Sequence, residues 1–148
     1  MPISNYLRSL RTKVGHDPLL MPSVCVLIFN ERGHILLQQQ RTDALWHTVG
    51  GSLDPHEEPA AAAIREAKEE TGLDILPTRI VSVYTGPNIT YPSGDIVWYL
   101  TIAFACTIQG GLHPRIADDE SLALKFFPPD QLPPLSPHDR RAIEEFLK

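Results

Sequence analysis

The chain has little of what marks membrane-spanning, secreted or nucleic-acid-binding proteins. It contains only two cysteines, and its 13 Lys and Arg residues against 18 Asp and Glu give a formal net charge of −5. No apolar run is long enough to cross a bilayer, and the polar N-terminus offers no hydrophobic signal core. Without a basic stripe to contact phosphates, we expect no nucleic-acid polymer and no membrane as partner. A cytoplasmic location is the default expectation.

The scarce cysteines are themselves informative. Cys25 and Cys106 lie in apolar, strand-like runs, at residues 24–29 and 103–106. Neither has a histidine at metal-ligand spacing. The pattern favours buried, reduced thiols over a disulfide, a metal site or a nucleophile.

The length of 148 residues, with no repeat and no low-complexity linker, predicts one domain over residues 1–148. Residues 1–20 form an N-terminal extension with a short helix from about residue 6 to 14, and residues 30–33 form a hairpin turn. Strands are predicted near residues 75–84, 97–108 and 122–127. A last helix within 136–148 begins with a capping box at Ser136 and docks through Ile143, Phe146 and Leu147. We expect a mixed sheet with helices on its flanks.

The richest stretch, residues 51–73, is a glycine loop leading into a carboxylate-rich helix. At about 100° per residue, Glu66, Glu69 and Glu70 fall within an arc of roughly 100°. An adjoining face can pack on the sheet, and Gly72 supplies the left-handed stop. That packing face consists of Ala60, Ala63, Ile64 and Ala67, whereas Ala61 and Lys68 point outward.

Three carboxylates on one arc repel each other, so their charge needs compensation. Hard divalent cations such as Mg²⁺ and Mn²⁺ stabilise such groups because they prefer oxygen ligands. Arg65, one turn before Glu69, can orient a carboxylate without binding metal itself. Taken alone, the helix is better explained as a surface helix rich in glutamate.

The fixed residues of this stretch are Gly51-x5-Glu57-x7-Arg65-Glu66-Ala67-x-Glu69-Glu70-x-Gly72-Leu73. This pattern resembles the signature box of the Nudix (MutT-like) hydrolases at every fixed position. The resemblance implies an α+β fold, an α/β/α sandwich with a mixed β-sheet flanked by helices. It also implies metal-dependent hydrolysis of a nucleoside diphosphate linked to another moiety, with Mg²⁺ or Mn²⁺ as cofactor. The implied metal ligands are Glu66, Glu69, Glu70 and the carbonyl of Gly51, while Glu57 and Arg65 hold the loop and helix in register.

The chain departs from the family pattern outside these fixed positions. Family loops often carry Leu-Pro before the double glycine and a glycine just before the first box glutamate, where this chain has Thr48-Val49 and His56. The residue after that glutamate is usually a small hydroxyl cap, and here it is Glu58. Residues 91–95 and 119–127 resemble a bacterial branch called ADP-ribose pyrophosphatase-like, whose label does not establish a substrate.

For such an enzyme, a water activated by the cation attacks one phosphorus of the diphosphate. A base must remove the proton, and the candidates are Glu70 or Glu69 in the box and Glu120 in a late acidic loop. Beside Asp118 and Asp119, Glu120 has a second interpretation as part of a solvated turn.

Substrate-binding candidates are few. Trp46 and Tyr91 could stack on a base or ribose, although core or rim packing explains lone aromatics as well. Arg41 could meet a phosphate or stay solvated, and Gly50 completes the substrate side of the loop. His47 and His56 flank the loop, but the metal route requires no imidazole.

Two other classes are open. A non-catalytic Nudix domain could bind a nucleotide or ADP-ribose as a sensor, and an isopentenyl-diphosphate isomerase would share the fold but need further motifs. Among substrates, the sequence does not choose between ADP-ribose, nucleotide sugars, dinucleotides and nucleoside triphosphates. The expected partner is a small phosphorylated nucleotide, and the resemblance implies a possible homodimer.

Overall fold

The computed structural model describes residues 3–110, 113–117 and 121–148. In this part of the chain three helices and eight strands follow one another. The helices are α1 (Asn5–Val14), α2 (Pro59–Thr71) and α3 (Pro137–Leu147). The strands are β1 (Leu19–Phe29), β2 (Ile35–Gln40), β3 (Trp46–His47), β4 (Val49–Ser52), β5 (Ile75–Thr85), β6 (Ile89–Thr90), β7 (Ile96–Ile108) and β8 (Ser121–Phe127). None of the described helices combines the length and apolarity needed to cross a bilayer.

The strands form one mixed sheet in the order β3-β2-β1-β7-β5, with β4 on β1, β6 on β7 and β8 on β2. β1 and β7 pair in parallel along their whole contact, from Leu19 opposite Val97 to Phe29 opposite Thr107. All other pairs are antiparallel. The predicted mixed sheet is therefore confirmed.

Strand β1 explains why the structure has three layers. Val24, Val26 and Ile28 belong to the core beneath α2. The alternate residues Cys25 and Leu27 belong to a second core beneath α3. A strand buried on both faces reads as a continuous apolar run, as this one does. The predicted α/β/α sandwich is confirmed, and both cysteines are buried and free, as expected.

The terminal helices follow their sequence signals with one exception. In α3 the Ser136 hydroxyl accepts a hydrogen bond from the Asp139 N–H at 3.3 Å, which is the predicted cap. Ile143 is buried, and the Phe146 ring stacks on Phe29 at 4.5 Å between centroids. The predicted docking of Leu147 is wrong. It occupies the last helical position and its residue surface is 52% exposed.

Helix α2 is rotated relative to the prediction. Ala60 and Ile64 were expected on the packing face, and both are exposed. The buried face contains instead Ala62, Ala63, Glu66, Ala67, Glu70 and Thr71. Polar partners offset the burial of both carboxylates, since Glu70 accepts from the Gly50 N–H and Glu66 accepts from Arg65. Two box glutamates therefore lie inside the protein rather than at the border of the core.

The turn before Glu57 shows what replaces the usual family glycine. His56 has a φ of 66°, in the left-handed region that favours glycine. The Glu57 N–H donates to the Asp54 carbonyl at 3.1 Å, and the Glu57 carboxylate accepts from the Asp54 N–H at 3.1 Å. These bonds hold the imidazole-bearing residue in a conformation that its side chain disfavours.

We expect His56→Gly to raise the free energy of unfolding by up to about 1 kcal/mol. Relief of roughly 1–2 kcal/mol of left-handed strain exceeds the 0.5–1 kcal/mol of extra chain entropy that glycine brings to the unfolded state. Urea titration measures the difference. His56→Ala is the control, since it removes the imidazole but keeps the Cβ. A glycine variant no more stable than the alanine variant would contradict the assignment of strain.

Candidate active site

The double glycine lies where two backbones and a carboxylate come very close. Gly50 and Gly51 pair with Cys25 and Val24 of β1. A Cβ on Gly50 would lie 2.3 Å from the Val24 carbonyl oxygen, and one on Gly51 would lie 2.3 Å from Oε1 of Glu66. Gly50 therefore requires glycine because backbone approaches it closely, and a side chain at Gly51 would displace the Glu66 carboxylate. The Gly51 backbone is in direct contact with a box carboxylate.

Glu57 and Arg65 tie this loop to α2. The Arg65 guanidinium donates to both oxygens of Glu57, from Nε at 2.7 Å and from Nη2 at 2.9 Å. Nη2 also donates to the Ser52 carbonyl at 3.1 Å. The hydrogen bonds from Arg65 lower the pKa of Glu57. Such a bidentate pair fixes geometry as well as charge.

Glu66 is the most deeply buried acid of the box. Its side chain is 1% exposed, and its Oε1 accepts from Arg65 Nη1 at 2.9 Å. Its Oε2 has no hydrogen-bond partner among the described residues. Burial raises the pKa of Glu66 to about 7, although Arg65 pulls it the other way. A buried carboxylate oxygen without a donor, beside the Gly51 backbone, has the chemistry of a cation ligand.

The other two box glutamates point to different places. Glu70 is buried, and its Oε2 accepts from Nε2 of Gln38 at 2.9 Å and from the Gly50 N–H at 3.3 Å. The Glu69 side chain is 53% exposed, with Arg65 Nη1 at 3.4 Å. Within residues 3–110, 113–117 and 121–148, no three His, Cys, Asp or Glu side chains converge as a ready metal cluster. The structure brings Glu66 and Glu70 to the glycine loop and leaves Glu69 at the helix surface.

The predicted substrate-binding residues occupy varied positions. Tyr91 is half-exposed, and its hydroxyl lies 2.6 Å from that of Tyr99, which is close to Ser52 of the glycine loop. Trp46 packs edge-on against the Phe127 ring at 4.9 Å between centroids. Arg41 lies in the exposed turn after β2. The structure thus brings Tyr91 to the loop, forty residues away in sequence. Glu120, with Asp118 and Asp119, lies outside the described residues.

A polar cluster on the α3 side was not predicted. The Asp139 carboxylate accepts hydrogen bonds from the hydroxyls of Thr48 and Ser136. His47 lies between two carboxylates, with Nδ1 3.0 Å from Asp139 Oδ2 and Nε2 3.0 Å from Asp43 Oδ2. Both ring nitrogens face acceptors, which satisfies the imidazolium form. This cluster fixes the start of α3 to the segment that enters the double glycine.

The sequence predicted neither the partners of Asp139 beyond the helix cap nor the bond between Gln38 and Glu70. Asp139 reads as the last residue of the four-residue capping box that begins at Ser136, and Gln38 as one of three consecutive glutamines. The bond between Thr48 and Asp139 spans 91 residues, and that between Gln38 and Glu70 spans 32. Contacts at such separations depend on strand register rather than on local pattern.

Residues 19–146 match the sequence profile of the NUDIX domain. The chain belongs to the Nudix hydrolase family. The resemblance read from the signature box is therefore confirmed, and so are the fold and the hydrolase class that it implied.

Two relatives of this Nudix hydrolase are named as a pyrophosphatase and a diphosphatase. A Bacillus subtilis protein with the provisional name ADP-ribose pyrophosphatase YjhB is 34% identical over 110 residues, covering 74% of this chain and 51% of its own. A second B. subtilis protein, provisionally named 8-oxo-dGTP diphosphatase, is 32% identical over 123 residues, covering 82% of this chain and 76% of its own. The chain thus spans about half the length of YjhB and three quarters of the second relative.

A solved structure and a more distant relative extend the comparison. The crystal structure named as an ADP-ribose pyrophosphatase of Streptococcus suis is 28% identical, with a TM-score of 0.65 and coverage of 86% of this chain and 87% of its own. A Stutzerimonas stutzeri protein named NAD-capped RNA hydrolase NudC is 30% identical over 94 residues, covering 57% of this chain and 34% of its own. The substrates in the names of these relatives therefore differ.

The His47 cluster predicts a specific pH dependence of stability. Burial lowers the pKa of His47, but hydrogen bonds to Asp139 and Asp43 outweigh it, so the pKa is raised above its ordinary value of 6.5. Its contribution to stability is therefore complete below pH 6.5 and is lost as pH rises through the folded pKa. The free energy of unfolding of the wild-type protein, compared with that of His47→Gln, should therefore fall as pH rises from 6.5 through the folded pKa.

Urea titrations of both proteins across this range measure the effect. The control is His56→Gln, which changes an exposed histidine. Parallel curves for wild type and His47→Gln at all pH values would show that His47 is not held as a cation between the two aspartates.

Proposed function

We propose that this Nudix hydrolase cleaves, with a divalent cation, the diphosphate linkage of a nucleoside diphosphate joined to another moiety. The observation that supports this best is the Glu66 carboxylate, buried against Gly51 with Oε2 lacking a hydrogen-bond donor among the described residues. A buried charge in that state is costly unless it is paired or coordinates a metal. The family pattern is consistent with it, since its members use a divalent metal.

Hard oxygen atoms make up the proposed ligand set. Glu66 and the Gly51 carbonyl would hold the cation, Mg²⁺ or Mn²⁺, together with Glu70, and Glu69 would reach it from the helix surface. The bound cation would polarise the diphosphate and favour deprotonation of the attacking water. Arg65 neutralises one oxygen of Glu66 and leaves the other for the metal.

The remaining roles fall to residues on the rim of this set. Glu70 already accepts two N–H donors, which favours a fixed, ionised ligand over a base. The general base is then Glu69 or Glu120, of which Glu69 is solvent-exposed and able to pass a proton to water. Glu57 acts with Arg65 to hold the loop in place.

For the substrate we propose a small nucleotide derivative, with ADP-ribose tested first because two relatives carry that name. Tyr91, held through Tyr99 beside Ser52, offers an aromatic face and hydroxyl groups near the loop. Gly50, Arg41 and Trp46 are the other proposed contacts for the substrate. A homodimer and the lack of a polymeric substrate remain predictions.

The experiment is product analysis with ADP-ribose, NADH, nucleotide sugars, diadenosine polyphosphate, nucleoside triphosphates and an NAD-capped RNA oligonucleotide. Each is incubated with Mg²⁺, with Mn²⁺ and with EDTA. We expect metal-dependent release of a nucleoside monophosphate from one of them and no release with EDTA. Tight binding without turnover by folded protein would contradict the proposal and favour a sensor.

Within that assay, Glu66→Gln and Glu70→Gln should each lower kcat by at least about two orders of magnitude, because both remove a charged metal ligand. Glu144→Gln, an exposed glutamate on α3, is the matched control and should behave as wild type. Circular dichroism confirms folding. Wild-type turnover in either folded ligand variant would contradict the metal site.

A further inference from the structure

Gln38 is a fully enclosed amide at the junction of three elements. It lies on β2, is 2% exposed, and uses both ends of its amide. Nε2 donates to Oε2 of Glu70 on α2 at 2.9 Å and to the Thr48 carbonyl, just before β4, at 3.3 Å. Oε1 accepts from the Ser121 hydroxyl, at the start of β8, at 2.8 Å.

These partners leave one orientation for the amide. A carboxylate and a carbonyl both require a donor, so Nε2 must face Glu70 and Thr48. Ser121 supplies its proton to the opposite end. With its rotation fixed in this way, the amide holds Glu70 Oε2 beside the Gly50 N–H, which donates to the same oxygen at 3.3 Å. Two N–H donors thus aim one carboxylate oxygen at the glycine loop.

The neighbouring glutamine provides an internal comparison. Gln39 points to the other side of the strand and donates to the Ala44 carbonyl, five residues away, at 2.9 Å. That bond is local and exposed, and it closes the turn after β2. Gln38 instead joins residues 32 and 83 positions away. Of these two adjacent glutamines, Gln38 is hydrogen-bonded to a glutamate of the signature box, whereas Gln39 is bonded within its own turn.

We propose that Gln38 is a positioning residue that fixes the Glu70 carboxylate for cation binding. Through Ser121, it also ties Glu70 to the beginning of the strand that follows residues 118–120. This inference rests on the proposed function, because it gives Glu70 the role of a metal ligand. Partners that orient a ligand typically change metal affinity or activity by about 10–100-fold when removed.

The test measures Mn²⁺ binding directly, by electron paramagnetic resonance of free Mn²⁺ in titrations of purified protein. Gln38→Met keeps the length of the side chain and removes its donor. Its Mn²⁺ affinity should fall by about 10–100-fold. Gln39→Met is the matched control, and its affinity should equal that of wild type. Glu70→Gln serves as the reference for loss of the ligand itself.

A second measurement, the Mn²⁺ dependence of turnover, separates a positioning role of Gln38 from a general effect on stability. In Gln38→Met, turnover should recover as Mn²⁺ is raised, because the ligand is still present but poorly held. A purely structural role would lower the unfolding temperature without moving the Mn²⁺ dependence, and that result would overturn the proposal.

The failures of the two proposals are distinguishable. If Glu70→Gln weakens Mn²⁺ binding and folded Gln38→Met does not, the role of Gln38 is overturned and the metal site stands. If Glu70→Gln also binds like wild type, the proposed metal site fails and this inference fails with it. Should Gln38→Met not fold, Ser121→Ala frees the same amide from its other end; weaker Mn²⁺ binding would support the role of Gln38, and unchanged binding would overturn it.

Discussion

The contact between the Glu66 carboxylate and the Gly51 backbone constrains most of the structure around it. Placing a carboxylate at 1% exposure requires compensation, since burial of an unpaired charge is strongly unfavourable. Arg65 supplies a counter-charge on one oxygen, and Glu57 fixes Arg65 from the loop side. A Cβ at Gly51 would lie 2.3 Å from Glu66 Oε1, so a side chain there would displace the carboxylate from this position. The small alanines of α2 let the helix approach closely enough to make the contact.

Thr48 connects this arrangement to both helical layers. Its carbonyl accepts from Gln38, which also holds Glu70 of α2, while its hydroxyl donates to Asp139 of α3. The segment that leads into the double glycine is therefore held from both faces of the sheet. Family loops often carry Leu-Pro before the double glycine. Here this position holds Thr48, which forms hydrogen bonds through both its carbonyl and its hydroxyl. A loop fixed at both sides presents its carbonyls and N–H groups in one geometry, which is what preorganised catalysis requires.

Much of the fold follows from local sequence signals. The buried strand β1, the hairpin after Phe29 and the capped start of α3 were all predictable, because strand burial, turns and caps depend on neighbouring residues. The rotation of α2 was not, and so Ala60 and Ile64 were placed wrongly. A helical wheel treats glutamate as solvent-facing, whereas here Arg65 and the glycine loop make burial of Glu66 and Glu70 possible. The long-range partners of Gln38 and Asp139 were not predictable either, because tertiary register brings them together.

The most direct test of the buried-carboxylate account is anomalous scattering from crystals of the protein grown with Mn²⁺. The account predicts a manganese peak within coordination distance of Glu66 Oε2 and the Gly51 carbonyl oxygen, with Glu70 turned toward the same ion. Manganese bound elsewhere, with Glu66 Oε2 hydrogen-bonded to a protein donor in protein that still hydrolyses a nucleoside diphosphate derivative, would contradict it.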